Sequence, residues 1–432
     1  MSARSVSYDA LVATETETDP DTVPERPSSG RRPFVLAPFR GLRFDARTVG
    51  DLGTVISPPY DVLDAETVRD LEAANRRNIV RLILSRRFEQ PYQAVRRRLC
   101  SWRDKSYLRA DDVPALYLYQ YAVDQVTVRG LIGLAGLREE DERVILPHEG
   151  VMAGPVADRT VLMRTTRTNL EPILLVHEGS ASLRELLEEI TREPALVEFT
   201  ALDGSAHKMW TVTDPDCLAL VAAELADTQA LIADGHHRYA AYLNLQREMR
   251  DPAAAVDESP WDYGLALLVD QHDYPLSVGP IHRSIGALTV ADVQEISAER
   301  GDAFTTFPDR EAAFAALAEQ TAGAEQASFV LSDGRTWAVL RTPRTHQVDA
   351  AVLHDELFEA WHVAEEQVGY HHSLDQALHT TARQPGIVVA VHPPTVRQVM
   401  ESAARGIRMP RKSTSFAPKP RMGVVMRDLH DA

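Results

Sequence analysis

The chain is poor in cysteine. Only Cys100 and Cys217 occur, far apart and in no Cys-x-x-Cys pattern, which excludes a disulfide framework and a zinc ribbon. No run approaches the roughly 18 uninterrupted apolar residues of a membrane span, and the N-terminus lacks a charged-then-apolar secretory pattern, so a cytoplasmic protein with no membrane partner is expected. Basic residues are also in deficit. Lys and Arg number 46 against 63 Asp and Glu, a formal net charge of −17, and a chain of that sign repels polyphosphate unless its cations are concentrated locally. Nucleic acid is therefore disfavoured as a partner, and a small-molecule substrate is expected. Gly-x-Ser-x-Gly, Gly-x-Gly-x-x-Gly and His-Glu-x-x-His are all missing, which removes support for the common hydrolase, dehydrogenase and zinc-protease readings.

What is present is an ordinary globular composition, 44% hydrophobic and 25% charged over 432 residues, a length that suggests two or three domains. Residues 1–32 have the composition of a disordered acidic tail. From there the pattern predicts a helix over 65–76 capped by Asp64, a buried strand over 78–84, a helix over 93–105, and a hairpin of 115–123 with 128–137. Residues 138–168 are too polar to be regular throughout and suggest a site wall or lid. A linker is expected at 251–262, separating an N-terminal α+β domain (33–250) from a smaller C-terminal α/β domain (263–432), with a return of Gly264 to Leu288 to the first sheet as the open alternative. Strands and helices mix without strict alternation, which favours an α+β class with mixed sheets and packed helices.

The sharpest local signal is Leu231-Ile232-Ala233 running into Asp234-Gly235-His236-His237-Arg238-Tyr239. A strand, a glycine turn and a helix start leave backbone amides without partners, an arrangement that attracts anions. His236, His237 and Arg238 would add donors and positive charge there, and Asp234 could orient a histidine, hold Mg²⁺ or accept a proton. The ordinary alternative has Asp234 capping the helix, His236 in solvent and Arg238 paired with a carboxylate. Zinc is weaker still, because no further ligands are identifiable.

A second cluster spans Met409 to Arg421, where Lys412, Ser413 and Thr414 could wrap a phosphate or carboxylate; the ordinary alternative is a solvated basic loop. The preceding Gly-x-x-x-x-Gly of a nucleotide P-loop is missing. A third group pairs His148-Glu149, a candidate acid/base couple, with Asp158-Arg159, against the alternative of a surface ion pair. Arg40 and Asp61 are candidate substrate contacts, with salt bridges and caps as the plain explanation. His354, Glu356, Glu359 and His362 share a helix read as structural packing.

Pro38-Phe39-Arg40-Gly41, Ser57-Pro58-Pro59-Tyr60-Asp61-Val62, Arg77-Asn78-Ile79-Val80-Arg81-Leu82, Pro147-His148-Glu149, Asp158-Arg159, Ala233 to Tyr239, His282-Arg283 and Met409 to Thr414 together resemble the bacterial and archaeal domain-of-unknown-function 1015 family, from Pro33 to Leu429. Around Leu231 to Leu245, the Asp-Gly-His-His-Arg turn is similar to that of free serine kinases of the ParB/sulfiredoxin fold, in which the turn and helix start hold nucleotide phosphates. That second resemblance implies a ParB/sulfiredoxin-like element. It also implies a nucleotide (ATP or ADP) and Mg²⁺ as cofactors, with phosphoryl transfer to a small hydroxylated metabolite such as serine. His236, His237, Arg238, Lys412, Ser413 and Thr414 would contact phosphates and Asp234 would hold the metal. Glu149, His148 and Asp61 are acid/base candidates by chemistry, and Arg40, Asp61, Asp158 and Arg159 would meet substrate. A ParB-like, nucleotide-binding DNA regulator and a phosphatase of a phosphorylated metabolite are the alternatives.

Overall fold

The structure is a computed structural model that describes residues 32–84, 90–251, 259–318 and 325–430. Of the expected tail only Arg32 is described, and most of the expected linker lies outside the described residues. The class is α+β. Contacts divide the chain into a larger unit, Gly30–Pro147 with Val151–Leu276 and Pro418–Ala432, and a smaller one, His148–Gly150 with Ser277–Ala417. The expected boundary at 251–262 is thus displaced. The strand Tyr263–Asp270 takes the open alternative and returns to the first sheet, pairing antiparallel with Val126–Gly136 and parallel with Ile173–His177.

The larger unit is built on a nine-stranded mixed sheet among the described residues, in the order Ile145–Leu146, Ala230–Asp234, Ile173–His177, Tyr263–Asp270, Val126–Gly136, Leu116–Val123, Ala206–Val212, Val197–Thr200, with Leu36–Ala37 on Val126–Gly136. The expected hairpin at Asp124 is its backbone, Asp124 taking the left-handed φ of 52° that the tight turn requires. Leu116, Leu118, Leu131, Ile173, Leu175, Ile232, Leu268 and Trp210 meet in one core with helices over Ala181–Ile190, Pro215–Leu225 and His236–Met249. The helix Pro91–Asp104 has proline at its start and buries Val95, Leu99 and Trp102 at helical spacing.

Two expectations fail for physical reasons. Residues 78–84 are not a strand. Asn78 donates from Nδ2 to the Thr54 and Ile56 carbonyls at 2.9 and 2.8 Å, and its Oδ1 accepts from the Val80 amide at 3.0 Å. That clamp starts a short helix, Val80–Ile83, whose apolar side chains are buried together, so no periodicity distinguished it. The polar 138–168 passage contains a full helix, Ala153–Thr166, whose inward face includes Arg159, Thr160 and Thr166 beside Leu162 and Met163. Polar groups with buried partners diluted the apolar stripe.

Among the described residues the smaller unit carries a six-stranded antiparallel sheet, Ala303–Phe307, Trp337–Pro343, Gln326–Ser332, Gly386–Val391, His282–Gly286, Val368–His371, with apolar clusters packed against it. The expected helix over 350–361 is present, but Leu353–Leu357 winds as a π turn. No helix among the described residues is long and apolar enough to cross a membrane.

Gly53 has no room for a side chain, since a Cβ there would lie 1.9 Å from the Thr200 carbonyl oxygen, whereas Gly154 sits in open space at a helix start. Gly53→Ala is expected to destabilise the protein by about 1–3 kcal/mol, and Gly154→Ala to stabilise it by up to about 1 kcal/mol, both read from urea midpoints. Burial pushes His177, His207 and His282 down to about 4. Unfolded histidine titrates near 6.5, so the folded state binds fewer protons between those values and stability falls as pH drops through that window. Each histidine is expected to contribute on the order of 1 kcal/mol per pH unit there, measured as the pH dependence of unfolding free energy.

Candidate active site

The strand Ala230–Asp234 ends on Asp234. Gly235 follows at φ 103°, and the helix His236–Met249 begins with no side chain capping it. Glycine is required here twice over, by the left-handed backbone and because a Cβ would lie 2.9 Å from Ile173 Cγ2. Asp234 therefore does not cap the helix. Its Oδ1 accepts from Lys419 Nζ at 2.6 Å and its Oδ2 from the Arg238 guanidinium.

Those contacts belong to a chain of buried charges within the larger unit. Lys419 Nζ also donates to Asp61 Oδ2 at 2.7 Å. Arg238 reaches the Pro172 carbonyl, and its Nη1 lies 4.0 Å from Glu171 Oε2. Glu171 Oε1 accepts from Arg159 Nη1 at 3.2 Å, and Arg159 holds Asp158 at 2.5 Å while lying 4.8 Å from the centre of the Tyr60 ring. Tyr92 donates to the far side of Asp158 at 2.8 Å. Along Asp158, Arg159, Glu171, Arg238, Asp234, Lys419 and Asp61 the signs alternate, so each of the three cations faces two carboxylates. Burying an ion costs several kcal/mol unless it is paired in this way.

The network sorts its carboxyls. Burial alone would raise the Asp234 carboxyl, but the Lys419 ammonium and the Arg238 guanidinium outweigh it and hold the group far below its ordinary value. Asp234 is thus an anion at any physiological pH and a poor proton acceptor. At Glu171 burial wins over Arg238 and Arg159, and Asp61 and Asp234 add repulsion, so its carboxyl is raised. Of those two, Glu171 is the one suited to hold a proton. Burial pushes Tyr60 up to about 12.

Five residues singled out in the sequence, Asp61, Asp158, Arg159, Asp234 and Arg238, come together here. Arg238 corrects one expectation, since it turns inward onto carboxylates and a carbonyl rather than outward as a phosphate donor, and it is only 3% exposed. His237 corrects another. Its Nε2 accepts the Met152 amide at 3.0 Å, so this ring is neutral and carries its proton on Nδ1. His236 is buried beside Asp234 rather than in solvent and helps keep that carboxyl ionised. Arg40 is exposed and donates to the Asp111 carbonyl, outside the network.

The remaining candidates lie in the smaller unit. His148 Nε2 meets Thr414 Oγ1 at 2.7 Å, and Glu149 Oε2 accepts the Ser413 amide at 3.3 Å, so the presumed acid/base pair braces the Lys-Ser-Thr loop. Ser413 and Thr414 are buried, and Lys412 holds a left-handed φ of 57° and makes no ion pair with a described residue. Among the described residues no three His, Cys, Asp or Glu side chains form a metal cluster.

Sequence reading missed Lys419, Glu171 and Tyr60. Lys419 lies between two prolines, and its strap is fixed by Tyr121 donating to the Pro418 carbonyl at 2.7 Å and by paired backbone bonds between Ser57 and Met422. Glu171 stands just before the wholly apolar Ile173–Val176, where a lone charge was the available signal.

Lys419→Met leaves Asp61 and Asp234 facing each other and is expected to cost about 3–5 kcal/mol. The lowered Asp234 group contributes above about pH 4 and loses its contribution in acid, while Lys419, raised by its carboxylates against burial, contributes below about pH 10 and loses it in alkali. The gap between wild type and variant in urea titrations is therefore expected to be widest between those limits and to shrink outside them. A gap independent of pH would contradict the pairing.

No curated protein matches the chain. Solved structures similar to it include a free serine kinase variant in complex with ADP (17% identity, 65% of this chain and 86% of that one, TM-score 0.36). Others are a conserved hypothetical protein from Pyrococcus furiosus (18%, 68% and 95%, 0.37) and C-terminally truncated SbnI from Staphylococcus aureus (11%, 67% and 84%, 0.36). Similarity at that level does not transfer a ligand. The sequence profile of the family described as protein of unknown function DUF1015 matches residues 36–365, and the chain belongs to that family.

Proposed function

We propose that the protein is a nucleotide-dependent phosphotransferase acting on a small hydroxylated metabolite, with serine or a related amino acid as the first acceptor to test. The observation that carries this reading is the uncapped start of the His236–Met249 helix, directly after an aspartate that stays ionised. The first-turn amides have no partners within the helix and suit phosphate oxygens. The Asp-Gly-His-His-Arg resemblance points to the same use.

Asp234 is too acidic to serve as the proton acceptor and suits a divalent ion. Mg²⁺ needs only one or two carboxylates when phosphate oxygens and water complete its shell. A bound nucleotide would supply the transferable phosphoryl group and Mg²⁺ would offset its charge. Lys419 and Arg238 keep Asp61 and Asp234 in place and offset charge that would repel an anion, making them positioning residues.

Protein, Mg²⁺ and ATP or ADP are to be mixed with a panel of amino and hydroxy acids, with phosphorylated product read by mass spectrometry and nucleotide binding by thermal shift. A phosphorylated acceptor and a nucleotide-dependent rise in Tm are expected, both reduced at least about tenfold in effect by Gly235→Ala, which removes the helix start's left-handed turn. Absence of product together with an unchanged Tm for every nucleotide would overturn the reading.

A further inference from the structure

Arg283 lies on the His282–Gly286 strand of the smaller unit and is 0% exposed. Its Nη1 donates to the Ile281 carbonyl, and its Nε and Nη2 reach His354 Nε2 at 3.2 and 3.1 Å. The guanidinium lies 5.1 Å from the centre of the Tyr370 ring. Among the described residues no carboxylate oxygen comes within the 4.0 Å of an ion pair. Glu149 and Glu365 act on it only from farther away. Glu149 is engaged by the Ser413 amide, and Glu365 takes Arg411 at 2.9 Å and the Tyr370 hydroxyl at 2.5 Å.

This differs from the other buried arginines. Arg159 and Arg238 touch carboxylates, while Arg138 and Arg427 lodge against backbone carbonyls. Arg283 instead uses two of its nitrogens on one imidazole, which must be neutral to accept, and burial pushes His354 down to about 3. His354 occupies the π turn Leu353–Leu357, a distortion often found at functional sites. Of the five guanidinium N–H groups three are committed, leaving one on Nη1 and one on Nη2. Nη1 and Nη2 are the two nitrogens that a bidentate oxyanion engages. A buried cation without a counter-ion is costly, and a bound anion removes the cost.

We propose that Arg283 anchors a binding site for a small oxyanion, a carboxylate or phosphate group, in the unit formed by His148–Gly150 and Ser277–Ala417. Beside it, Tyr370 donates to Glu365, which also pairs with Arg411, and the side chains of that pair are 38% and 39% exposed. Surface pairs of this kind contribute little, so parting them is inexpensive. The proposal does not depend on phosphoryl transfer. An inert phosphotransferase assay leaves it intact, and its failure leaves that assay unaffected.

The test compares thermal unfolding of the full-length wild type and Arg283→Gln with inorganic phosphate or acetate, ionic strength being held constant with sodium chloride. Saturating anion is expected to raise the wild-type Tm by about 2–4 °C, and Arg283→Gln to lose most of that rise. A response to phosphate alone identifies a phosphate site, and a response to acetate alone a carboxylate site. Equal shifts in both proteins, or no shift with either anion, overturn the proposal, as does a variant that is merely less stable with its anion response unchanged. Should Arg283→Gln fail to fold, crystals of the wild type soaked in each anion decide the matter. Oxygen atoms on Arg283 Nη1 and Nη2 support the site, and density elsewhere, an adventitious ion only, or none at all overturns it.

Discussion

The larger unit depends on a lysine held between two carboxylates. Lys419 Nζ lies 2.7 Å from Asp61 and 2.6 Å from Asp234, and its ammonium leads the charges that hold the Asp234 carboxyl below its ordinary value against burial. One contact thereby joins three distant parts of the sequence, the stiff Ser57–Asp61 turn, the end of the Ala230–Asp234 strand and the Pro418–Met422 strap. Backbone bonds between Ser57 and Met422 and the Tyr121 hydroxyl on the Pro418 carbonyl fix the strap from both sides. The ammonium is therefore placed by packing before it is placed by charge.

From that anchor the alternation of charges decides what each group can do. Asp234, with two cations on it, is a fixed anion at the foot of an uncapped helix. Glu171 has two guanidiniums nearby, yet burial and two neighbouring acids leave its carboxyl raised. Two acids on one network thus separate into a permanent charge and a group with increased proton affinity, the separation that acid–base chemistry requires. The smaller unit shows the opposite condition at Arg283, a buried guanidinium held by neutral groups rather than by carboxylates.

Legibility in the sequence followed local periodicity. The hairpin at Asp124, the capped helix after Asp64 and the Leu231 to Tyr239 strand-turn-helix were readable because neighbouring residues alone specify them. The short helix at Val80 was not, because its apolar residues are buried on every side, nor was the Ala153–Thr166 helix, whose inward polar groups depend on partners far along the chain. At the site, Asp234, Asp61, Asp158 and Arg159 were found as charged residues in suggestive company. Lys419 and Glu171 were not, since nothing adjacent to either reveals that it is buried.

By itself the sequence determined the turn at Gly235, the helix that follows it, the acidic balance and the family. Those rest on backbone preferences and on side chains within a few residues of one another. Tertiary structure alone decided that Arg238 faces inward, that His237 is neutral and that Asp234 is too acidic to take a proton. Each of these depends on a partner distant in sequence, Glu171 and Pro172, Met152 and Lys419 in turn, and electrostatic character is set by what lies within a few ångströms, a distance the linear order of residues does not encode.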